Sequence, residues 1–129
     1  MVVETSVLVA IILREQGFES FVFQIAEADM CSTSAANYLE ASIALQQRRG
    51  EGSVAELDRV IGEMEIAIVP VTAVQVRIAR SAFLTYGKGM KNAAQLNFGD
   101  WFGYALAKQL GEPLLFKGND FIHTDVLKA

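Results

Sequence analysis

The stretch Asp100-Trp101-Phe102-Gly103-Tyr104-Ala105-Leu106-Ala107-Lys108-Gln109-Leu110-Gly111-Glu112-Pro113-Leu114-Leu115-Phe116 sets the fold class. Residues 100–110 carry apolar side chains at helical spacing, Gly111 is the usual helix stop, and 113–116 is an apolar run of strand length. The same alternation extends upstream. Residues 1–3 read as a buried strand, 6–13 as a short apolar helix, and 18–28 as a helix with Phe18, Phe21, Val22 and Ile25 at helical spacing. A short strand is expected at 30–32. Ser34 then N-caps a helix to about residue 49, stopped by Gly50 and Gly52. Ser53 and Glu56 have capping-box spacing for a helix to about residue 63, and Thr72 with Gln75 repeats it for a helix to about residue 86. Between these two helices, 66–69 is a β-branched apolar strand broken by Pro70. Residues 87–98 form a loop and 117–120 a polar turn. Strands separated by whole helices need crossover connections, so the sheet is expected to be mainly parallel, within one α/β domain over 1–129.

Composition agrees. At 129 residues the chain has the length of one domain, and 52% apolar against 20% charged residues is globular rather than disordered. Cys31 is the single cysteine, which excludes an intramolecular disulfide and fits a reducing compartment. No basic segment precedes a hydrophobic stretch and no apolar run reaches membrane-spanning length, so the expected location is the cytoplasm. The net charge of −4 argues against a general nucleic-acid binder, unless acids converge on a cation that reverses the local sign.

Ligands of open parallel α/β sheets sit at the carboxyl ends of the strands. Four acids reach such a crevice. Glu4 ends the first strand, Glu40 lies about one and a half turns into the helix begun by Ser34, Asp100 opens a helix, and Asp120 follows the last strand. The remaining eleven acids equal the eleven bases, so the net charge is that of this set. Taken singly, each has a structural explanation: a strand end, a solvated position beside a core face marked by Leu39 and Ile43, a helix N-terminus and a turn residue. Their joint placement points to a hard divalent cation, Mg²⁺ or Mn²⁺. His123, the only histidine, and Cys31 have no partners at zinc or nucleophile spacing and read as structural residues.

Read together, these segments resemble the PIN domain, and within it the VapC-type ribonuclease toxins of toxin–antitoxin pairs. The resemblance runs through Val2-Val3-Glu4-Thr5-Ser6-Val7-Leu8-Val9-Ala10, then Thr33-Ser34-Ala35-Ala36-Asn37-Tyr38-Leu39-Glu40. Its most specific block is Tyr86-Gly87-Lys88-Gly89 followed by Leu96-Asn97-Phe98-Gly99-Asp100-Trp101-Phe102-Gly103-Tyr104-Ala105-Leu106-Ala107. It closes on Pro113-Leu114-Leu115-Phe116-Lys117-Gly118-Asn119-Asp120-Phe121. Four acidic motifs in this order are specific where one would be weak.

The resemblance implies a PIN-like three-layer α/β/α domain with a mainly parallel central sheet. It implies that Glu4, Glu40 and Asp100 organise a Mg²⁺ or Mn²⁺ site, with Asp120 at a more variable fourth acidic position. Ser6 matches the hydroxyl beside the first acid, and Asn119 is a candidate for orienting water or ligands. The implied reaction is metal-dependent hydrolysis of RNA, leaving a 5′-phosphate and a 3′-hydroxyl. A homodimer and a VapB-type antitoxin partner are also implied, with the apolar helices near 8–13 and 18–25 as the expected antitoxin groove.

The sequence departs from the family at its first acid, where Asp is usual and this chain has Glu4. The extra methylene moves the carboxylate by about 1.5 Å, a displacement to which catalysis is sensitive. The alternative reading is therefore a catalytically attenuated PIN-fold module that binds antitoxin or RNA. RNA contacts are expected from Lys88, Lys91 and Lys117, with Arg14, Arg48 and Arg49 as further candidates. The basic 87–91 loop reads either as an RNA contact or as a solubilising loop. Trp101, Phe102 and Tyr104 read as core or interface residues, with base stacking as the alternative. A phosphoacceptor receiver domain is excluded, because Glu4 has no acidic neighbour and Val69-Pro70-Val71-Thr72 supplies no Asp.

Overall fold

The computed structural model describes residues 1–129. Strand β1 (Val2–Val3) has only two residues, both fully buried, and they serve two different cores. Successive strand side chains point to opposite faces of a sheet. Val3 joins a cluster with Leu8, Ile12, Leu45 and Leu57, whereas Val2 joins one with Trp101, Tyr104, Leu106 and Phe121. Strand β4 (Leu114–Leu115) repeats the division, Leu114 facing the second cluster and Leu115 the first. Strands this short are viable because both faces are covered.

With β2 (Cys31–Ser34) and β3 (Ile66–Val69), the sheet has the order β3-β2-β1-β4, every pairing parallel. Helices α1 (Thr5–Leu13), α2 (Phe18–Ala26), α3 (Ala35–Arg49) and α4 (Glu51–Glu63) supply or flank the Val3 cluster. Helix α6 (Asp100–Leu110) supplies the Val2 cluster, and α5 (Ala73–Tyr86) packs against it through partly buried Ile78, Ala79, Ala82 and Tyr86. The expected three-layer α/β/α arrangement is therefore present. No helix is long and apolar enough to cross a membrane.

Two local expectations are corrected. The second strand does not stop at Ser32. It continues through Thr33 and Ser34, which pair with Ile68 and Val69, because a central strand is specified by its neighbours' ladders more than by its own apolarity. Ser53 and Glu56 do not cap α4. Gly50 ends α3 and starts α4 at φ +81, a conformation glycine adopts without penalty, and Ser53 sits inside the first turn donating to Gly50 O at 2.7 Å. The Thr72–Gln75 capping box, by contrast, is formed on both sides.

Burial separates the leucines that hold this fold from those that do not. Leu45 is 0% exposed, whereas Leu84 is 75% exposed. Leu45→Ala is expected to cost about 2–5 kcal/mol in urea unfolding, and Leu84→Ala to stay within about 0.5 kcal/mol of the parent. Equal effects would contradict this assignment of the core.

Candidate active site

The chain turns from β1 directly into α1, and Glu4 occupies that corner as the N-cap of the helix. Its Oε2 accepts the Ser6 backbone N–H at 2.7 Å and the Ser6 hydroxyl. Glu40, on α3 after β2, accepts the Thr5 hydroxyl on Oε2 at 2.7 Å. Asp100 is the first residue of α6. Its Oδ2 accepts the Asn97 N–H at 2.7 Å, and Asn97 Oδ1 accepts the Asp100 N–H at 3.2 Å. Asp120 lies in the turn after β4. All four carboxylates line one open-sided cavity of about 460 Å³.

Glu4, Glu40 and Asp100 thus share a pattern. One oxygen of each accepts a hydrogen bond from a donor of the chain. No three acids close around a single point in these side-chain positions. The donor set still suits a hard cation: oxygen atoms only, each anchored from behind, with no thiol or imidazole in the lining.

The electrostatics show how little the chain itself neutralises this cavity. Burial pushes Asp100 up from 3.8 to about 7, with the Glu4, Asp120 and Glu40 carboxylates adding to the rise and the Asn97 N–H opposing it. Glu4, 4% exposed, is also raised, first by burial and then by Glu40, against the hydrogen bonds from Ser6.

Two glycines pack closely against these acids. A Cβ at residue 103 would stand 3.3 Å from Glu4 Cγ and 3.2 Å from Asn37 Oδ1, so Gly103 leaves room for both. A Cβ at Gly99 would collide with the Glu40 carboxylate. Asn37, fully buried, donates to the Thr5 hydroxyl at 2.9 Å and to Gly99 O at 3.1 Å, fixing the hydroxyl that holds Glu40. Sequence reading missed Thr5, Asn37, Asn97, Gly99 and Gly103 as supports. One signal was available: Asn37, Ala41 and Leu45 recur every four residues on the buried stripe of α3. Leu39 and Ile43, expected to mark that core face, are instead 59% and 50% exposed. With Phe98 and Phe102 they line an apolar shelf that meets the acidic cavity at Glu40, Ala44 and Asn97.

The remaining candidates separate clearly. Ser6 is in the cavity, bonded to Glu4 and accepting the Lys117 backbone N–H at 2.9 Å. Lys117 lines the cavity too, its Nζ paired with Glu15, and Arg48 and Glu15 join it there. Lys88, Lys91 and Asn119 do not line it. The 87–91 loop is also less free than its glycines suggest, because the Gln95 side chain bonds Gly89 N and Met90 O, both at 2.9 Å. Arg49 is committed to the carbonyls of Ile12 and Leu13. Arg14 closes α1 in the left-handed conformation. Trp101 and Tyr104 are core residues, Cys31 is buried and His123 exposed. The apolar side chains at 8–12 are buried in the core, so α1 does not offer them to a groove.

The Asp100 shift has a sign that can be tested. Between pH 4 and 7 the folded protein keeps a proton that the unfolded chain has lost, so this group's contribution to stability falls as pH rises through that window. In EDTA, Asp100→Asn is expected to melt several degrees above the parent at pH 8, with the advantage shrinking toward pH 5. Thermal unfolding across that range decides it, and an Asn variant less stable at pH 8 would contradict the assignment.

A family model described as PIN domain matches residues 1–127. Ribonuclease VapC28 of Mycobacterium tuberculosis is 44% identical over 129 residues, 100% of this chain and 97% of that protein. Among solved structures, the sarcin-ricin loop cleaving toxin VapC20 of Mycobacterium tuberculosis superposes with a TM-score of 0.79 at 15% identity, covering 99% of this chain and 97% of that one. VapBC2 from Rickettsia felis, bound to a DNA fragment from its promoter, gives 0.74 at 14% identity over 98% and 94%. At those identities the two structures speak for the fold alone. The match over nearly the whole chain, together with 44% identity at full length, shows that this protein belongs to the PIN-domain family, in its VapC branch.

Proposed function

We propose that the protein is a metal-dependent endoribonuclease toxin of a VapBC-type toxin–antitoxin pair, acting in the cytoplasm. The observation that carries this reading is the cavity in which Glu4, Glu40, Asp100 and Asp120 meet, on a fold whose relatives are named ribonucleases. These four acids would hold Mg²⁺ or Mn²⁺. Such a cation supplies positive charge for the phosphodiester and acidifies bound water.

The chain's own residues keep the acids in place. Ser6 anchors Glu4, Thr5 with Asn37 behind it anchors Glu40, and Asn97 anchors Asp100. Burial and the neighbouring carboxylates raise Asp100 to about 7, and a cation held by these acids would favour its ionised form. The attenuated-module alternative rested on displacement of the first acid. Glu4 still lines the cavity with the other three, so that reading is not favoured. A homodimer and a VapB-type antitoxin belong to the proposal. The exposed Leu39, Ile43 and Phe98 beside the cavity supply apolar surface for protein contact.

Purified, antitoxin-free protein is expected to cut at least one class in a panel of tRNA, rRNA and mRNA with Mg²⁺ or Mn²⁺. EDTA should abolish cutting, and Asp100→Asn should lower it by roughly 100-fold or more. Silence in the parent with cutting by Glu4→Asp would revive the attenuated reading.

Gly99 offers a second check that does not depend on activity. Its backbone, φ −66 and ψ −34, suits alanine, yet the added Cβ must displace Glu40. Gly99→Ala should unfold cooperatively while Mn²⁺ affinity by calorimetry falls about 10–100-fold. Unchanged affinity would remove Glu40 from the proposed ligand set.

A further inference from the structure

The acidic cavity contains a fifth carboxylate that none of the preceding roles uses. Glu15 sits in the turn between α1 and α2, and its two oxygens hold two different cations. Oε2 pairs with Lys117 Nζ, from the turn after β4, and Oε1 lies 3.5 Å from Arg48 Nη1, on the last turn of α3. All three side chains line the same cavity as the four acids, and Lys117 and Arg48 are the only lysine or arginine in its lining. Arg48 and Lys117 side chains are 58% and 38% exposed, so water competes with these pairings and they are weakly held.

A polyanion approaching five carboxylates needs positive charge close by, since strand affinity comes mainly from Lys and Arg neutralising phosphates. One carboxylate spanning two cations with its two oxygens imitates the two non-bridging oxygens of a phosphodiester. We infer that Lys117 and Arg48 form a phosphodiester subsite for the RNA strand beside the scissile bond, and that Glu15 occupies this subsite in the free protein as an internal competitor. The inference rests on the ribonuclease reading and adds to it the residues that hold the strand. It also moves strand recognition from the 87–91 loop to the mouth of the cavity.

The test is cleavage of a labelled single-stranded RNA by the full chain in Mg²⁺, over a series of KCl concentrations. Lys117→Ala and Arg48→Ala should each raise KM with kcat nearly kept, and each should flatten the log–log salt dependence of kcat/KM by about 0.7. Lys117→Arg should restore the slope. Glu15→Gln should raise kcat/KM several-fold, whereas Arg59→Ala, which removes an exposed α4 partner of Glu63, should match the parent. Parent cutting with unaltered slopes in both alanine variants would overturn the subsite alone. A loss in Glu15→Gln would overturn the competitor role and make Glu15 a positioning residue. A folded parent that cuts no RNA under any metal condition would remove the ribonuclease reading, and the subsite with it.

Discussion

A carboxylate 4% exposed is costly to ionise, and Glu4 offsets part of that cost by its place in the chain, although burial still holds its carboxyl above the usual range. It lies where β1 ends and α1 begins, so the unpaired N–H groups and positive end of the helix face it. Ser6 adds a hydroxyl to the same oxygen. The corner also fixes everything around it. Thr5, next in sequence, is turned toward α3, where it holds Glu40 and is itself held by Asn37. Asn37 in turn grips Gly99 O, one residue before Asp100. Three acids from three elements are thereby tied to one strand end by hydrogen bonds between adjoining residues, so the geometry depends little on long flexible side chains.

Much of this frame was legible in the sequence because its signals are local. Gly111 after an amphipathic run, Pro70 after a β-branched run, and Thr72 with Gln75 each state a boundary, and each lies where expected. The parallel sense of the sheet followed from the whole helices between strands, and the four acids were expected at its carboxyl end, whereas the strand order β3-β2-β1-β4 was not read from the sequence. Less legible was anything that depends on two segments at once. Residues 33–34 look like loop until β3 is laid beside them. Leu39 and Ile43 look like core because they are apolar, yet the buried stripe of α3 runs through Asn37, Ala41 and Leu45, a pattern disguised by one asparagine. The glycines at 99 and 103 carry no side chain to announce them. Their meaning appears only when Glu40 and Glu4 occupy the space a Cβ would take.

The basic candidates show the same division between composition and placement. Lys88, between Gly87 and Gly89, and Lys91 are basic, which made their loop attractive. Lys117 and Arg48 are no more basic, but they stand in the cavity. Charge steers a ligand over a distance set by screening, whereas binding at a site requires contact, so position outranks local density of basic residues.

The cavity presents a problem of sign that the free protein solves in two ways. Four acids in one lining cannot all ionise without cost, and the chain has no cation directed at them. Burial and mutual repulsion raise both Asp100, to about 7, and Glu4, which lowers the charge the lining carries. The two cations present are meanwhile turned to Glu15, which keeps them from collapsing onto the four acids. A direct pairing of Lys117 with Asp120 or Glu40 would stabilise the free protein but fill the place a ligand cation needs. On the proposed reading, Glu15 keeps the charges of Lys117 and Arg48 apart from those of the four acids. Such a separation has no structural benefit for an empty cavity, and it suits the proposed receipt of a divalent cation and a phosphodiester side by side.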